Sequence, residues 1–237
     1  MSESNSSLKL SAEYCARFPE IPESAWPLLE RWAAGMREWN EKVNLVSRKD
    51  IDNLERKHLA HCLAITRKLK LMNGARVIDI GTGGGMPGVP MAICYPHARF
   101  TLIDSVGKKI KVVSDLVEQL ELKNVEVIHG RVETVKREFD FAMGRAVTQL
   151  PAFISWARKL IRPGKKHSLD NGILYWKGGA WEPELEGSRL QPWRVFSIGE
   201  LVGDTTDDAY LEKYILQFRQ QDVKFFKRPQ LTPKDAE

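Results

Sequence analysis

Apolar residues recur at helical spacing from Trp26 through Leu28, Leu29, Trp32, Met36 and Trp39, which predicts an amphipathic helix behind a polar, frayed start. Residues 40–47 carry Asn44 and Ser47 among alternating apolar groups and predict a turn. A second, strongly basic helix is expected over 50–70. From Ala75 the period changes: the short β-branched runs ARVIDI, RFTLID, VEVIHG, FDFAMG and GILYWKG alternate with helical stretches at 88–95, 108–120 and 150–161. The last of these stops at Arg162-Pro163-Gly164. Further on, RVFSIGELV and YLEKYILQF read as antiparallel strands closing one edge, and 224–237, with two prolines, as a poorly ordered polar tail.

Strands alternating with helices imply an α/β fold, a doubly wound and mostly parallel sheet. It follows an N-terminal helical extension, so the expected divisions are 1–72, 73–223 and 224–237. At 237 residues, 43% apolar and 28% charged, the chain has the composition of an ordinary globular protein. Cys15, Cys62 and Cys94 are odd in number and lack metal-ligand spacing, so reduced thiols and no metal are expected. No run approaches the roughly 20 apolar residues of a membrane span, and the start MSESNSSLKL is unlike a signal peptide. A cytoplasmic protein without membrane contact is expected. It should be a monomer, since no large exposed apolar stripe stands out.

The net charge of +5 favours a polyanionic partner only if the cations share a face. Two clusters could supply one: Arg56, Lys57, Arg67, Lys68 and Lys70, and Arg158, Lys159, Arg162, Lys165 and Lys166. They could neutralise RNA phosphates or be a solvated surface, and both readings stand at this point. Trp26, Trp32 and Trp39 read as core rather than as base-stacking platforms.

The most informative segment is VIDIGTGGGMPG at 77–88, a strand running straight into a glycine-rich turn and then a helix. Gly81, Gly83 and Gly85 permit unusual dihedrals and a close backbone approach to a nucleotide-like ligand. Gly83-x-Gly85-x-x-Gly88 also satisfies the dinucleotide fingerprint, which keeps an NAD(P)-dependent oxidoreductase open. Asp79 favours S-adenosylmethionine, because a carboxylate ending the first strand suits a sulfonium and an amino group better than a pyrophosphate. Asp104, ending RFTLID, could accept both ribose hydroxyls of either cofactor, or cap the helix that follows.

These stretches resemble the bacterial small-subunit ribosomal RNA guanine-N7 methyltransferases, the glucose-inhibited division protein B family. The resemblance rests on WNEKVNLVS at 39–47, VIDIGTGGGMPGVPMAI from Val77, TLIDSVGKKIKVV from Thr101, GRVE at 130–133 and GRAV at 144–147, and spans about 28–177. It implies a Rossmann-like class I methyltransferase that binds S-adenosylmethionine. The implied contacts are Gly81, Met86, Val132, Glu133 and Arg145, and Asp104 fits the ribose position. Independently of the family, Arg145 ends the fourth strand, where the crevice of such sheets lies, and could meet a carboxylate or phosphate. The implied partner is small-subunit ribosomal RNA or the assembling subunit. One departure is clear: the family's Arg-His-x-x-Asp-Ser is Lys57-His58-Leu59-Ala60-His61-Cys62 here, so the carboxylate that could orient His58 is missing.

Guanine N7 carries a free lone pair at neutral pH, so no general base is needed and no catalytic residue is singled out. Holding nitrogen, methyl carbon and sulfur in line can contribute several kcal/mol, roughly 7–11 at best. The Asn- or Asp-Pro-Pro-aromatic motif of exocyclic amine methyltransferases is absent, as is a Pro-Cys nucleophile. A third reading is an RNA-binding module that keeps the fold without turnover.

Overall fold

The structure is a computed structural model that describes residues 9–188, 190–224 and 226. Most of the expected tail lies outside the described residues. Helices α1 (Ala12–Ala16) and α2 (Trp26–Lys42) lead into a segmented helical stretch that contains α3 (Ala60–Leu63). The α/β part follows in the order β1 (Arg76–Ile80), α4 (Gly88–Cys94), β2 (Arg99–Asp104), α5 (Gly107–Gln119), β3 (Val125–His129), β4 (Phe141–Arg145), α6 (Leu150–Ala157) and β5 (Gly172–Gly178). The chain closes with α7 (Glu182–Leu185), β6 (Arg194–Ser197), α8 (Ile198–Val202), β7 (Lys213–Arg219) and α9 (Gln220–Val223).

The sheet has seven strands in the order β3-β2-β1-β4-β5-β7-β6. The first five are parallel, while β7 runs antiparallel to both β5 and β6. The strand order reverses direction at β1, so β1 and β4 flank the switch point where such sheets bind ligands at their C-terminal ends. The central strands β1, β2 and β4 are nearly continuous apolar runs because helices cover both faces. Apolar clusters fill the space on either side.

Trp32 is fully buried, and Trp26 and Trp39 pack partly buried against the same cluster as β1 and α4, so the expected core role of these tryptophans is met. The Trp39 indole N–H donates to Asp115 on α5 at 2.6 Å. Asn40 closes the turn after α2 by accepting from the N–H groups of Leu45 and Val46, each at 2.9 Å. Met36 and Leu45 thereby rest against Gly84, where an added Cβ would lie 3.0 and 3.4 Å from them. The helical extension is thus packed directly onto the glycine turn.

Two expected elements differ. The basic helix over 50–70 is broken into a 3-10 turn (Ile51–Asn53), a π turn (Glu55–Leu59), α3 and a second 3-10 turn (Ala64–Arg67). Tertiary contacts hold the π turn: the Tyr14 hydroxyl donates to the Glu55 carbonyl at 2.9 Å and Arg37 pairs with the Glu55 carboxylate at 2.6 Å. In RVFSIGELV only RVFS is strand, since Ser197 caps α8 by accepting from the Glu200 N–H and Gly203 ends it at φ +78°.

At the edge where the parallel strands begin, Asp140 is completely buried. It accepts two bonds from the Arg162 guanidinium at 2.9 and 2.8 Å, one from the Arg76 N–H at 2.8 Å and one from Asn171 at 3.0 Å. Burial opposes its charge, but the Arg162 and Arg76 donors prevail and hold the carboxyl well below the ordinary range. Removing one partner of such a buried pair leaves the other uncompensated, so Asp140→Ala should lose about 3–5 kcal/mol in urea unfolding. A depressed native pKa stabilises above the unfolded value of about 4 and is lost as the pH falls below it. The stability gap between wild type and Asp140→Asn should therefore narrow in that acid range.

Candidate active site

The glycine turn is built around two carboxylates. Asp79, with no exposed surface, lies beneath it: its Oδ2 accepts from the Thr82 hydroxyl at 2.7 Å and from the Gly88 N–H at 3.0 Å. Burial pushes its carboxyl up to about 7, against the pull of those donors. Asp104 holds the turn from the side, accepting from the Gly83 N–H and the Val106 N–H, each at 2.9 Å. Gly81, Gly83 and Gly85 all take positive φ, between +59° and +88°, which a side chain would strain.

Above the turn lies a cavity of about 370 Å³ at the C-terminal ends of β1 and β2. Gly81, Asp104, Val132 and Glu133 line it together, with Ile103 and Val147 as apolar walls. Asp104 is 7% exposed, and its two backbone bonds fix its orientation while leaving lone pairs on both oxygens. It does not cap α5, whose N-cap is Val106. A carboxylate, a bare glycine backbone and apolar walls fit the ribose and base of an adenosine. Met86 lines neither this cavity nor the next one; it packs partly buried against the core. Asp79 does not line the cavity either, so its expected place beside a sulfonium is corrected: burial commits it to holding the turn.

A second cavity, also about 370 Å³, adjoins the first at Ala146, which lines both. Ala146 has φ +52°, a conformation that costs an alanine of order 1 kcal/mol or more. The following loop is fixed by Tyr175, whose hydroxyl donates to the Thr148 carbonyl at 2.6 Å and accepts from the N–H groups of Val147 and Thr148. Arg145 and His58 line the second cavity with Trp176, Ala209 and Lys213. Arg145 meets neither a carboxylate nor a phosphate here. It contacts His58 Nδ1 and donates to the His58 carbonyl at 3.3 Å and to Cys62 Sγ at 3.8 Å. Burial first, and the Arg145 charge second, press both His58 and His61 down to about 3, so both rings are neutral. His61 Nε2 bonds the Ala209 carbonyl at 2.8 Å and the Trp176 indole donates to the His61 carbonyl at 2.7 Å, tying the broken helix to β5.

Tyr175, Ala146 and Lys213 were not singled out by sequence reasoning. Tyr175 and Lys213 come from strands β5 and β7, brought next to the β4 loop by the antiparallel closure of the sheet.

Much of the expected basic surface is already partnered. Arg56 pairs with Asp207 and Asp208, Lys57 with Asp50, Arg67 with Glu20, Arg162 with Asp140 and Lys165 with Asp170. Lys68 and Lys70, whose carbonyls bond Ser168, sit with Lys165 and Lys166 where the parallel strands begin, at the end of the sheet opposite the cavities. Those clusters do not form one face around the site.

Residues 26–189 match the family described as rRNA small subunit methyltransferase G. The chain belongs to this family. A ribosomal RNA small subunit methyltransferase G of Flavobacterium psychrophilum is 48% identical over 81% of this chain and 91% of that one. Its counterpart in Porphyromonas gingivalis is 39% identical over 82% and 86%. The fold is that of an S-adenosylmethionine-dependent methyltransferase from Aquifex aeolicus, with TM-score 0.51 at 15% identity over 78% of this chain and 96% of that one. The antiparallel β7 between β5 and β6 departs from the 3-2-1-4-5-6 order of dinucleotide-binding dehydrogenases, which removes the oxidoreductase reading of the glycine turn. Among the described residues, no helix is long and apolar enough to cross a membrane, and no group of three or more His, Cys, Asp or Glu could hold a metal.

Asp104→Ala removes an acceptor from the first cavity, where an adenosine would sit, and frees the Gly83 N–H. A charged hydrogen bond contributes roughly 1.5–3 kcal/mol, so S-adenosylhomocysteine affinity in calorimetry should fall by about ten- to a hundredfold.

Proposed function

We propose that the protein is an S-adenosylmethionine-dependent methyltransferase that methylates N7 of a guanine in 16S ribosomal RNA, acting as a monomer in the cytoplasm without a metal. The observation that carries this reading is the pair of cavities meeting at Ala146, one suited to adenosine and the other cationic and large enough for a nucleotide. The names of the family and its relatives supply the small-subunit RNA.

When bound, S-adenosylmethionine supplies a methyl group activated by a sulfonium. Gly81, Asp104, Val132 and Glu133 would hold it: Asp104 would accept from the ribose hydroxyls, while Ile103 and Val147 would enclose the base and exclude water. Met86 and Arg145, the remaining residues implied by the family, stand apart from that cavity. Arg145 belongs with the target side in this reading.

The protein need not remove a proton, because N7 attacks through a lone pair that is already free. The two histidines of the second cavity are neutral; His61 is bonded to Ala209, His58 meets Arg145 through Nδ1 while its Nε2 has no partner among the described residues, and neither is assigned as a base. The work left to the chain is positional: the β4 loop, fixed by Tyr175, sets how near the target base comes to the first cavity. Such approach control is where enzymes gain most from a fixed geometry.

The test is transfer of labelled methyl groups from S-adenosylmethionine to 16S RNA and to small subunits from a strain lacking this gene, followed by mapping of the modified base. One 7-methylguanosine is expected. Label on another atom, or none in either substrate, would overturn the assignment.

A further inference from the structure

The charged groups around the second cavity do not cancel. Lys57 is matched by Asp50 at 2.6 Å and Lys177 by Glu184, while Arg56 is shared by Asp207 and Asp208, so the groups around the cavity carry a net excess of one positive charge. Two of the lining cations have no carboxylate partner. Neither Arg145 nor Lys213 forms an ion pair with a carboxylate among the described residues, although both line the same cavity. The histidines beside them, held neutral, contribute no further charge and no counter-charge.

The backbone is shaped to place these two cations. Arg145 precedes Ala146 and Lys213 follows Glu212, and both neighbours have positive φ, +52° and +50°, two of only three such non-glycine residues among those described. Lys213 is paired in register with Gly178, and its side chain lies across that glycine, where an added Cβ would come within 3.2 Å of Nζ. A larger residue at 178 would crowd the lysine. Costly conformations of this kind persist where function over-determines them.

We propose that Arg145 and Lys213 form an anion subsite in the second cavity that takes the phosphodiester of the target nucleotide, an inference that rests on ribosomal RNA being the substrate. The chemistry of the reaction supports an anion there. As N7 is alkylated the positive charge passes from the sulfonium to guanine, and an excess of cationic side chains beside the base would oppose that shift. A phosphodiester seated between them cancels the opposition and anchors the nucleotide whose base reaches the β4 loop. The carboxylate of the cofactor's amino acid is the other anion that could reach this cavity, and the experiment separates the two.

Lys213→Gln, Lys213→Arg and the control Lys123→Gln, an exposed lysine outside both cavities, are compared with wild type on the RNA substrate established for wild type. KM is measured from about 0.05 to 0.2 M salt, and cofactor affinity by calorimetry. Each phosphate contact contributes about 0.7–0.9 to the slope of log affinity against log salt. Lys213→Gln should raise KM about tenfold at low salt and flatten the slope by about that amount. Cofactor affinity and the Lys123→Gln slope should stay at wild-type values, Lys213→Arg should restore the slope, and melting temperatures should agree within about 2 °C. An unchanged slope in Lys213→Gln overturns the proposal. So does an equal change in Lys123→Gln, or a loss confined to cofactor affinity, which would assign the subsite to the amino-acid carboxylate. If wild type itself transfers no methyl group to ribosomal RNA, the functional reading fails instead.

Discussion

The buried carboxylate of Asp79 is the constraint on which the site depends. It reaches from the end of β1 to the Gly88 N–H, nine residues further on, and takes the Thr82 hydroxyl on the same oxygen. An α4 that starts at Gly88 can lie this close only because no Cβ intervenes, since one would sit 2.6 Å from Asp79 Oδ2. The turn is thereby pinned at both ends. Its middle is free to present bare backbone, and Asp104 fixes that middle through Gly83. A carboxyl pushed up to about 7 by burial shows that the clamp is held against a considerable desolvation penalty. Below neutrality, where it is protonated, the same carboxyl is less costly to bury.

The second cavity depends on a different device, the closure of the sheet by β7. Parallel strands alone bring Gly81, Asp104 and Arg145 to one edge. The walls of the second cavity come from elsewhere: Lys213 from β7, Trp176 from β5 and His58 from the π turn. The ties between them are specific. His61 bonds Ala209, Trp176 bonds His61, and Arg145 contacts His58, so the broken helix, β4, β5 and the segment before β7 are tied together. In the place of the aspartate that the family pattern would set near His58, this chain has His61, and the His58 ring is engaged by Arg145 instead.

What could be read from the sequence follows local periodicity. RFTLID and GILYWKG coincide with β2 and β5, and the glycine turn and Asp104 stand where strand-to-turn spacing puts them. The breaks in the helix over 50–70 were not legible, because the contacts that hold its π turn come from Tyr14 and Arg37. The pairing of Arg56 was hidden for the same reason, its partners lying about 150 residues away. The helix in IGELV is different. Ser197 with Glu200 three residues later, and Gly203 at the end, are an N-cap signature and a terminator that were available in the sequence.

The choice between cofactors shows how a right conclusion can rest on the wrong residue. By its position in the sequence Asp79 favours a sulfonium over a pyrophosphate, yet in the structure it faces neither, being sealed under the turn. Glycine spacing cannot decide either, because both cofactor classes need the same close approach of backbone to ligand. The discriminating feature is β7, whose antiparallel insertion between β5 and β6 carries Lys213 to the rim of the second cavity. The strand that separates this fold from a dehydrogenase is thus the one that supplies a cation without a carboxylate partner beside the second cavity. The same strand therefore both removes the dehydrogenase reading and shapes the second cavity.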